Sequence, residues 1–291
     1  MVKLTVALLL LVKVTVPVAV MPAKVLVGKA IVVEMSSAPT GMKSVLVLFV
    51  VVISGVLVAT VAVPAAAGPI EDAIAGSWRK PADKARDQYR HPAQTLKFLG
   101  VKPGQTVVEV SPGGGWYTEI LAPAMKGNGK YVAGLANPLA SVNAAKSVEH
   151  FKTKYADKAI YGDIGVGTFG KGVADIVEPG SADVVLTFRN VHNWHMSGWD
   201  QEAFNAFFKA LKPGGTLGVV EHRLPEARAD ADMKKSGYMK ASYVKMLAEK
   251  AGFKLAGSSE VNANPKDTKD YPDGVWTLPP TFAKGDVDRA K

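Results

Sequence analysis

The chain has 291 residues, is 48% hydrophobic and carries a formal net charge of +9, which is enough chain for one substantial core. Cysteine is absent, which excludes disulfides, thiolate metal sites and cysteine nucleophiles. Residues 1–67 hold five basic residues and one acid, leaving 30 basic and 25 acidic residues in 68–291, and so mild an excess argues against a nucleic-acid surface.

Residues 1–67 read as an apolar leader. Leu4–Val20 is a first apolar stretch, followed by Ala38-Pro39-Thr40-Gly41. Met42-Lys43-Ser44 then opens a pattern typical of export: a basic start, the apolar run Val45–Val63, and Pro64-Ala65-Ala66-Ala67 before Gly68. It predicts translation starting at Met42, a signal peptide over 42–67 and a periplasmic protein. The run approaches the length that crosses a bilayer, so an uncleaved inner-membrane anchor is the alternative. Such a leader is the only membrane contact expected.

Residues 68–291 form the predicted globular domain. A polar, helical lead-in covers Pro69–Leu99. Strand and helix patterns then alternate, which argues for a mostly parallel sheet with helices on both faces. Strands are predicted at Thr106–Val110, Lys130–Leu135, Ala159–Tyr161, Ala182–Phe188 and Thr216–Glu221. Helices are predicted near Trp116–Ala124, Leu139–Tyr155, just after Ile164, and at Gln201–Leu211. A last helix, about Tyr238–Ala251, ends at Gly252, and Phe253–Val261 and Gly274–Leu278 read as closing strands around the polar link Asn262–Asp273.

Directly after the first of these strands, Gly113-Gly114-Gly115 allows a sharp turn and leaves no side chain between backbone and ligand. After the fourth comes Arg189-Asn190-Val191-His192-Asn193-Trp194-His195. Strand carboxyl ends line the ligand crevice of an open α/β sheet, so His192 is a candidate general base, the alternative being a histidine packed under the loop. Trp194 would stack on a flat substrate or close the core. His195 adds no metal site, because carboxylate and thiolate ligands are missing nearby. Tyr89 and Arg90, in the lead-in run Arg86–Pro92, and His222, at the end of strand five, are candidate substrate contacts.

The motifs Val107-Val-Glu-Val-Ser-Pro-Gly-Gly-Gly115, Tyr161-Gly-Asp-Ile164, Ala182-Asp-Val-Val-Leu-Thr-Phe188 and Leu211-Lys-Pro-Gly-Gly-Thr-Leu217 occur in an order that resembles the class I S-adenosylmethionine-dependent methyltransferases. Over about residues 77–282 the chain is also similar to a group of exported bacterial proteins called predicted methyltransferases. The resemblance implies a Rossmann-like seven-stranded α/β fold, S-adenosylmethionine as cofactor and a small-molecule methyl acceptor. It assigns Glu109 to the cofactor's amino group, Ser111 and Gly113–Gly115 to its backbone cradle, Asp163 to adenine, and Arg189 to the same ligand. The alternative use of Asp163 is a helix N-cap. Two departures stand out. Ser111 replaces the family's first glycine, and no acid ends strand two, where Asn137 is the nearest substitute for a ribose ligand. A binding module that kept the fold without the chemistry is therefore the rival reading. A nicotinamide oxidoreductase ranks below it, for want of spaced glycines and a downstream acid, and no Gly-x-Ser-x-Gly elbow supports a hydrolase.

Overall fold

The computed structural model describes residues 3–6, 48–53, 56–61, 68–279, 281–283 and 285. The chain divides into two units, Leu11–Ala67 and Met1–Leu10 with Gly68–Lys291. The larger unit opens with strand β1 (Lys3–Val6). In the smaller unit β2 (Leu48–Ile53) and β3 (Val56–Val61) pair as an antiparallel hairpin. The rest of the leader, including its proposed cleavage site, lies outside the described residues. Among the described residues no helix is long and apolar enough to cross a membrane.

The lead-in folds as four short helices, α1 (Pro69–Ala75), α2 (Pro81–Lys84), α3 (Asp87–Arg90) and α4 (Pro92–Phe98). Proline opens three of them, a position where its missing N–H is no loss. There follow β4 (Thr106–Val110), α5 (Thr118–Met125), β5 (Lys130–Leu135), α6 (Val142–Lys154), α7 (Lys158–Tyr161), β6 (Ile164–Gly170), β7 (Val173–Asp175), β8 (Ala182–Phe188), α8 (Val191–Met196), α9 (Asp200–Ala210) and β9 (Leu211–Val220). The chain closes with β10 (Arg223–Leu224), α10 (Ala231–Ser236), β11 (Met239–Lys240), α11 (Ala241–Ala251), β12 (Lys254–Gly257) and a 3-10 turn at Gly274–Thr277.

The main sheet runs β12-β1-β9-β8-β4-β5-β6-β7, and all neighbours are parallel except β6 and β7. Its five central strands therefore stand in the order third, second, first, fourth, fifth, which is a Rossmann-like doubly wound arrangement. Helices cover both faces, as a parallel sheet requires. Val108, Val110, Val185, Leu217 and Val219 pack with α9 and α11 on one face, and Val107, Tyr131, Ala133, Val184 and Leu186 pack with α4, α5 and α6 on the other.

Three predicted elements differ. Ala159–Tyr161 is helical, because the Asp157 side chain caps the turn by accepting from the Ala159 amide at 2.9 Å. The third strand begins only at Ile164 and continues into β7, replacing the helix expected there. Its glycines hid it. A Cβ on Gly167 would lie 1.9 Å from the Ile176 carbonyl oxygen, so close backbone approach, not apolar alternation, builds this edge. Gly274–Leu278 does not form a strand, since Gly274 turns at φ 53° against the Ser236 carbonyl. The slot between β9 and β12 is filled by β1, from outside the domain boundary expected at residue 68. The sheet thus has eight strands where seven were expected.

Candidate functional site

The strand order reverses between β4 and β8, and the crevice opens at their carboxyl ends. The residue that follows each of these two strands is a non-glycine in the left-handed region, Ser111 at φ 53° and Arg189 at φ 60°. Such backbone is strained for a side chain bearing a Cβ. Asn190 ties the two strand ends together, its Nδ2 donating to the Ser111 carbonyl at 3.1 Å and to Thr187 Oγ1 at 3.2 Å.

The three glycines differ in what they are for. Space beyond Gly113 and Gly114 is open, with no atom within 4 Å of a built Cβ. Gly115 is crowded instead: a Cβ there would sit 1.8 Å from the Tyr155 hydroxyl oxygen. Tyr155, at the end of α6, donates to the Gly115 carbonyl at 3.2 Å, and Lys154 Nζ donates to the Gly114 carbonyl at 2.8 Å while pairing with Glu119. The loop is therefore clamped from the α6 side, and a groove of about 270 Å³ runs between Gly113–Gly114 and Lys146, His150 and Lys154.

Glu109 does not reach this open space. Side chains alternate along β4, so Glu109 shares the face of Val107, beneath α5. Its buried Oε2 accepts from Tyr131 Oη at 2.6 Å and Thr118 Oγ1 at 2.9 Å. Burial pushes its pKa up to about 7, against the two hydrogen bonds. A raised carboxyl favours folding while it holds its proton. That advantage is complete below the unfolded value of 4.5 and lost as pH rises through about 7. Glu109→Gln is therefore expected to gain stability over the parent by about 2–3 kcal/mol between pH 5 and pH 8, measured by urea denaturation at both. Parallel profiles for the two proteins would contradict it.

The lead-in roofs the loop. Trp116, just after the glycines, donates from Nε1 to the Asp83 carbonyl at 2.9 Å, and Arg90 and Arg79 lie over its ring with Cζ 4.6 and 5.1 Å from the centroid. Arg79 is fully buried and holds Asp87 through two bonds of 2.7 Å. Removing one partner of such a pair strands the other. Arg79→Met is thus expected to destabilise the unit by about 3 kcal/mol, read by chemical denaturation; no measurable change would show that the pair is dispensable. Tyr117 stacks on Phe188 at 3.6 Å, joining the roof to the end of β8. Tyr89 is exposed, on the rim beside Arg90.

Beyond Arg189, His192 Nδ1 lies 3.0 Å from Glu221 Oε1, and the His192 amide donates to Glu221 Oε2 at 3.3 Å. Both side chains are buried. Burial alone would raise the Glu221 pKa, but the hydrogen bond from His192 and the proximity of His192 and His222 hold it below the usual value. An ionised carboxylate only accepts, so Nδ1 carries a proton and donates it to Glu221. His222 has its pKa lowered to about 4, first by burial and then by Arg189 and His192, against Glu221. It is neutral near pH 7. Its rings approach His192 and Tyr238, and Trp276 stands edge-on to His192 at 6.0 Å.

Other predicted residues lie elsewhere. Trp194 is core, packed against Phe169, Trp199 and Phe207. His195 is held by Asp200 at 2.8 Å and Tyr243 at 3.0 Å, and among the described residues no group of acids and histidines is arranged to hold a metal. Asp163 precedes β6 rather than ending a strand, because the third strand starts later than predicted. It sits at the amino end of the sheet, exposed and paired with Lys158 at 2.6 Å, beside a separate cavity of about 400 Å³. An adenine contact at the glycine-loop end is out of its reach. Asn137 does stand just past β5, where its Oδ1 accepts from the Leu139 amide at 3.0 Å and its Nδ2 bonds to none of the described residues. Glu221 and Trp276 were not singled out as partners of His192. Glu221 is 29 residues away, and only the adjacency of β8 and β9 brings it in.

No family model and no curated protein matches the chain. Among solved structures, the chain is similar to a SAM-dependent methyltransferase from Aquifex aeolicus, at 17% identity over 60% of this chain and 83% of that one, with a TM-score of 0.45. It is similar to the [4+2]-cyclase SpnF at 16% identity over 61% of this chain and 58% of that one, with a TM-score of 0.42. A possible exported protein from Bordetella parapertussis is 20% identical over 60% of this chain and 64% of its own, with a TM-score of 0.38.

Proposed function

We propose that the protein is an S-adenosylmethionine-dependent methyltransferase acting on a small-molecule acceptor. The observation that carries this reading is the open glycine cradle at the end of β4 beside a buried His192–Glu221 pair beyond the end of β8. The cradle fits the cofactor because Gly113 and Gly114 leave room for a ligand that any larger side chain would occupy. Ser111 and Gly113–Gly115 would hold its amino-acid end and Asn137 its ribose. Bound S-adenosylmethionine supplies an electrophilic methyl group. His192 then receives the acceptor's proton at Nε2, and Glu221 stabilises the resulting imidazolium while fixing its orientation. Glu109 supports the cradle from below through Thr118 and Tyr131. The lead-in helices exclude water from above.

A specific observation favours the rival: Ala136 and Asn137, the first residues past the β5–Leu135 end, provide no acid for a ribose diol. A non-catalytic binding module on the same fold accounts for that equally well. Incubating the full chain with methyl-labelled S-adenosylmethionine and a panel of hydroxyl, amine and carboxylate acceptors separates the two. Labelled product with release of S-adenosylhomocysteine supports the enzyme, and tight binding without transfer across the panel supports the module.

The leader supports export. On this reading the protein recovered from the periplasm begins at Gly68, which N-terminal sequencing checks, and β1, paired with β9 and β12 in the full chain, is lost from the sheet on cleavage. Recovery in the membrane fraction with residues 42–67 attached would support the anchor instead.

A further inference from the structure

The crevice contains positive charge that the proposed chemistry does not use. Arg90 lies over Trp116, Trp116 contacts Tyr117 edge-on at 4.6 Å, Tyr117 stacks on Phe188, and Arg189 follows Phe188 with a left-handed backbone. Both guanidinium groups lie close enough to Tyr117 to feel its hydroxyl, so they share this aromatic stack as a neighbour. Arg86 joins them, paired with Asp83 at 3.2 Å. Arg90 and Arg189 make no side-chain hydrogen bond or ion pair with any described residue, although both are half-buried. Burial first, and then Arg189 and Arg86, push the Arg90 pKa down to about 9, and Arg189 is lowered by burial and by Arg86 in the same way. Desolvated like charges are unfavourable, and Asp83 and Tyr117 near Arg90 and Glu221 and Tyr117 near Arg189 offset them only in part, with no hydrogen-bonded counter-ion among the described residues on either guanidinium. They make sense as a site that an anion completes, since arginine forks match carboxylate and phosphate oxygens.

We infer that Arg86, Arg90 and Arg189 form a binding site for the carboxylate or phosphate group of a small molecule other than the cofactor; if the methyltransferase reading holds, that molecule is an acidic methyl acceptor. Arg189 favours the acceptor over the cofactor's own carboxylate. It projects from the β8 end, in the charge environment of Glu221 and beside the His192 segment, whereas the glycine cradle belongs to β4. Trp116, Tyr117 and Phe188 would give the ligand an apolar wall, so an anion carrying a flat or apolar body suits the site best.

The test titrates succinate and inorganic phosphate, at constant ionic strength, into the full chain and into Arg90→Gln and Arg189→Asn. Asparagine tolerates the left-handed backbone at 189, and removing either charge relieves repulsion, so neither variant is expected to melt below the parent without anion. Arg90→Lys serves as a second, charge-conserving variant that keeps the group over Trp116. S-adenosylhomocysteine and 5′-methylthioadenosine, which lacks the carboxylate, are titrated in parallel. Succinate or phosphate affinity is expected to fall about tenfold or more in Arg90→Gln and Arg189→Asn and less in Arg90→Lys, with both nucleosides unaffected. Unchanged anion affinity in the variants would overturn the site. Weakened S-adenosylhomocysteine with unchanged 5′-methylthioadenosine would overturn the assignment, showing that the arginines serve the cofactor's carboxylate. If neither nucleoside binds the parent while succinate binding still depends on the arginines, the anion site stands and the methyltransferase reading fails.

Discussion

Gly115→Ala is expected to destabilise the larger unit by about 2–5 kcal/mol, the sum of placing alanine in left-handed backbone and of overpacking a closed contact. Gly115 has φ 80°, and its missing Cβ is replaced in space by the Tyr155 hydroxyl at 1.8 Å and ring carbon at 2.7 Å. Neither conflict relaxes easily, because Tyr155 is itself buried against Phe151 and Tyr161. A double-mutant cycle isolates the steric part. Tyr155→Ala should be costly alone, yet adding Gly115→Ala to it should cost only the backbone share, about 1–2 kcal/mol. If Gly115→Ala costs less than about 1 kcal/mol by urea denaturation, below even the backbone share, the clamp of α6 on the glycine loop is not the packing described here.

On the proposed methyltransferase reading, His192→Gln is expected to lower the kcat of methyl transfer by about 10²–10⁴-fold while leaving S-adenosylhomocysteine affinity unchanged. Glutamine can keep a hydrogen bond to Glu221 but cannot take a proton at neutral pH. Glu221→Gln should cost less than loss of the base itself, because His192 remains but its tautomer and orientation are no longer imposed by an ionised acceptor. Stopped assays with a saturating cofactor separate kcat from KM. A fall in cofactor affinity with kcat intact in His192→Gln would move the residue from proton transfer to binding.

The frame of the fold was legible because its signals were local and redundant. Thr106–Val110, Lys130–Leu135 and Ala182–Phe188 combine β-branched or apolar runs with turn residues, and each forms the strand predicted. Gly252 ends α11 at φ 106°, as its place after Ala251 implied. Local pattern failed where backbone contact decides the structure. Gly165 and Gly167 in β6 pack against neighbouring strands without contributing apolar periodicity, and that missed start carried Asp163 to the wrong end of the sheet. The site shows the same division. The glycine loop and the His192 segment could be placed from sequence because both follow recognisable strands. Trp194 closes the core, one of the two uses its sequence position offered. Partners set by tertiary packing could not be placed: Glu109 turns to Thr118 and Tyr131, and Glu221 turns to His192.

The most direct test of the account is isothermal titration of S-adenosylmethionine and S-adenosylhomocysteine into the full chain and into Gly114→Asp. Gly114 is the right position because a Cβ there meets no atom within 4 Å and its φ is not positive, so the variant should fold as the parent does. Roughly micromolar binding by the parent is expected, lost or weakened at least tenfold in the variant at unchanged melting temperature. Equal binding by both proteins, or no binding to the parent at millimolar ligand, would contradict a cofactor site over the Gly113–Gly115 loop.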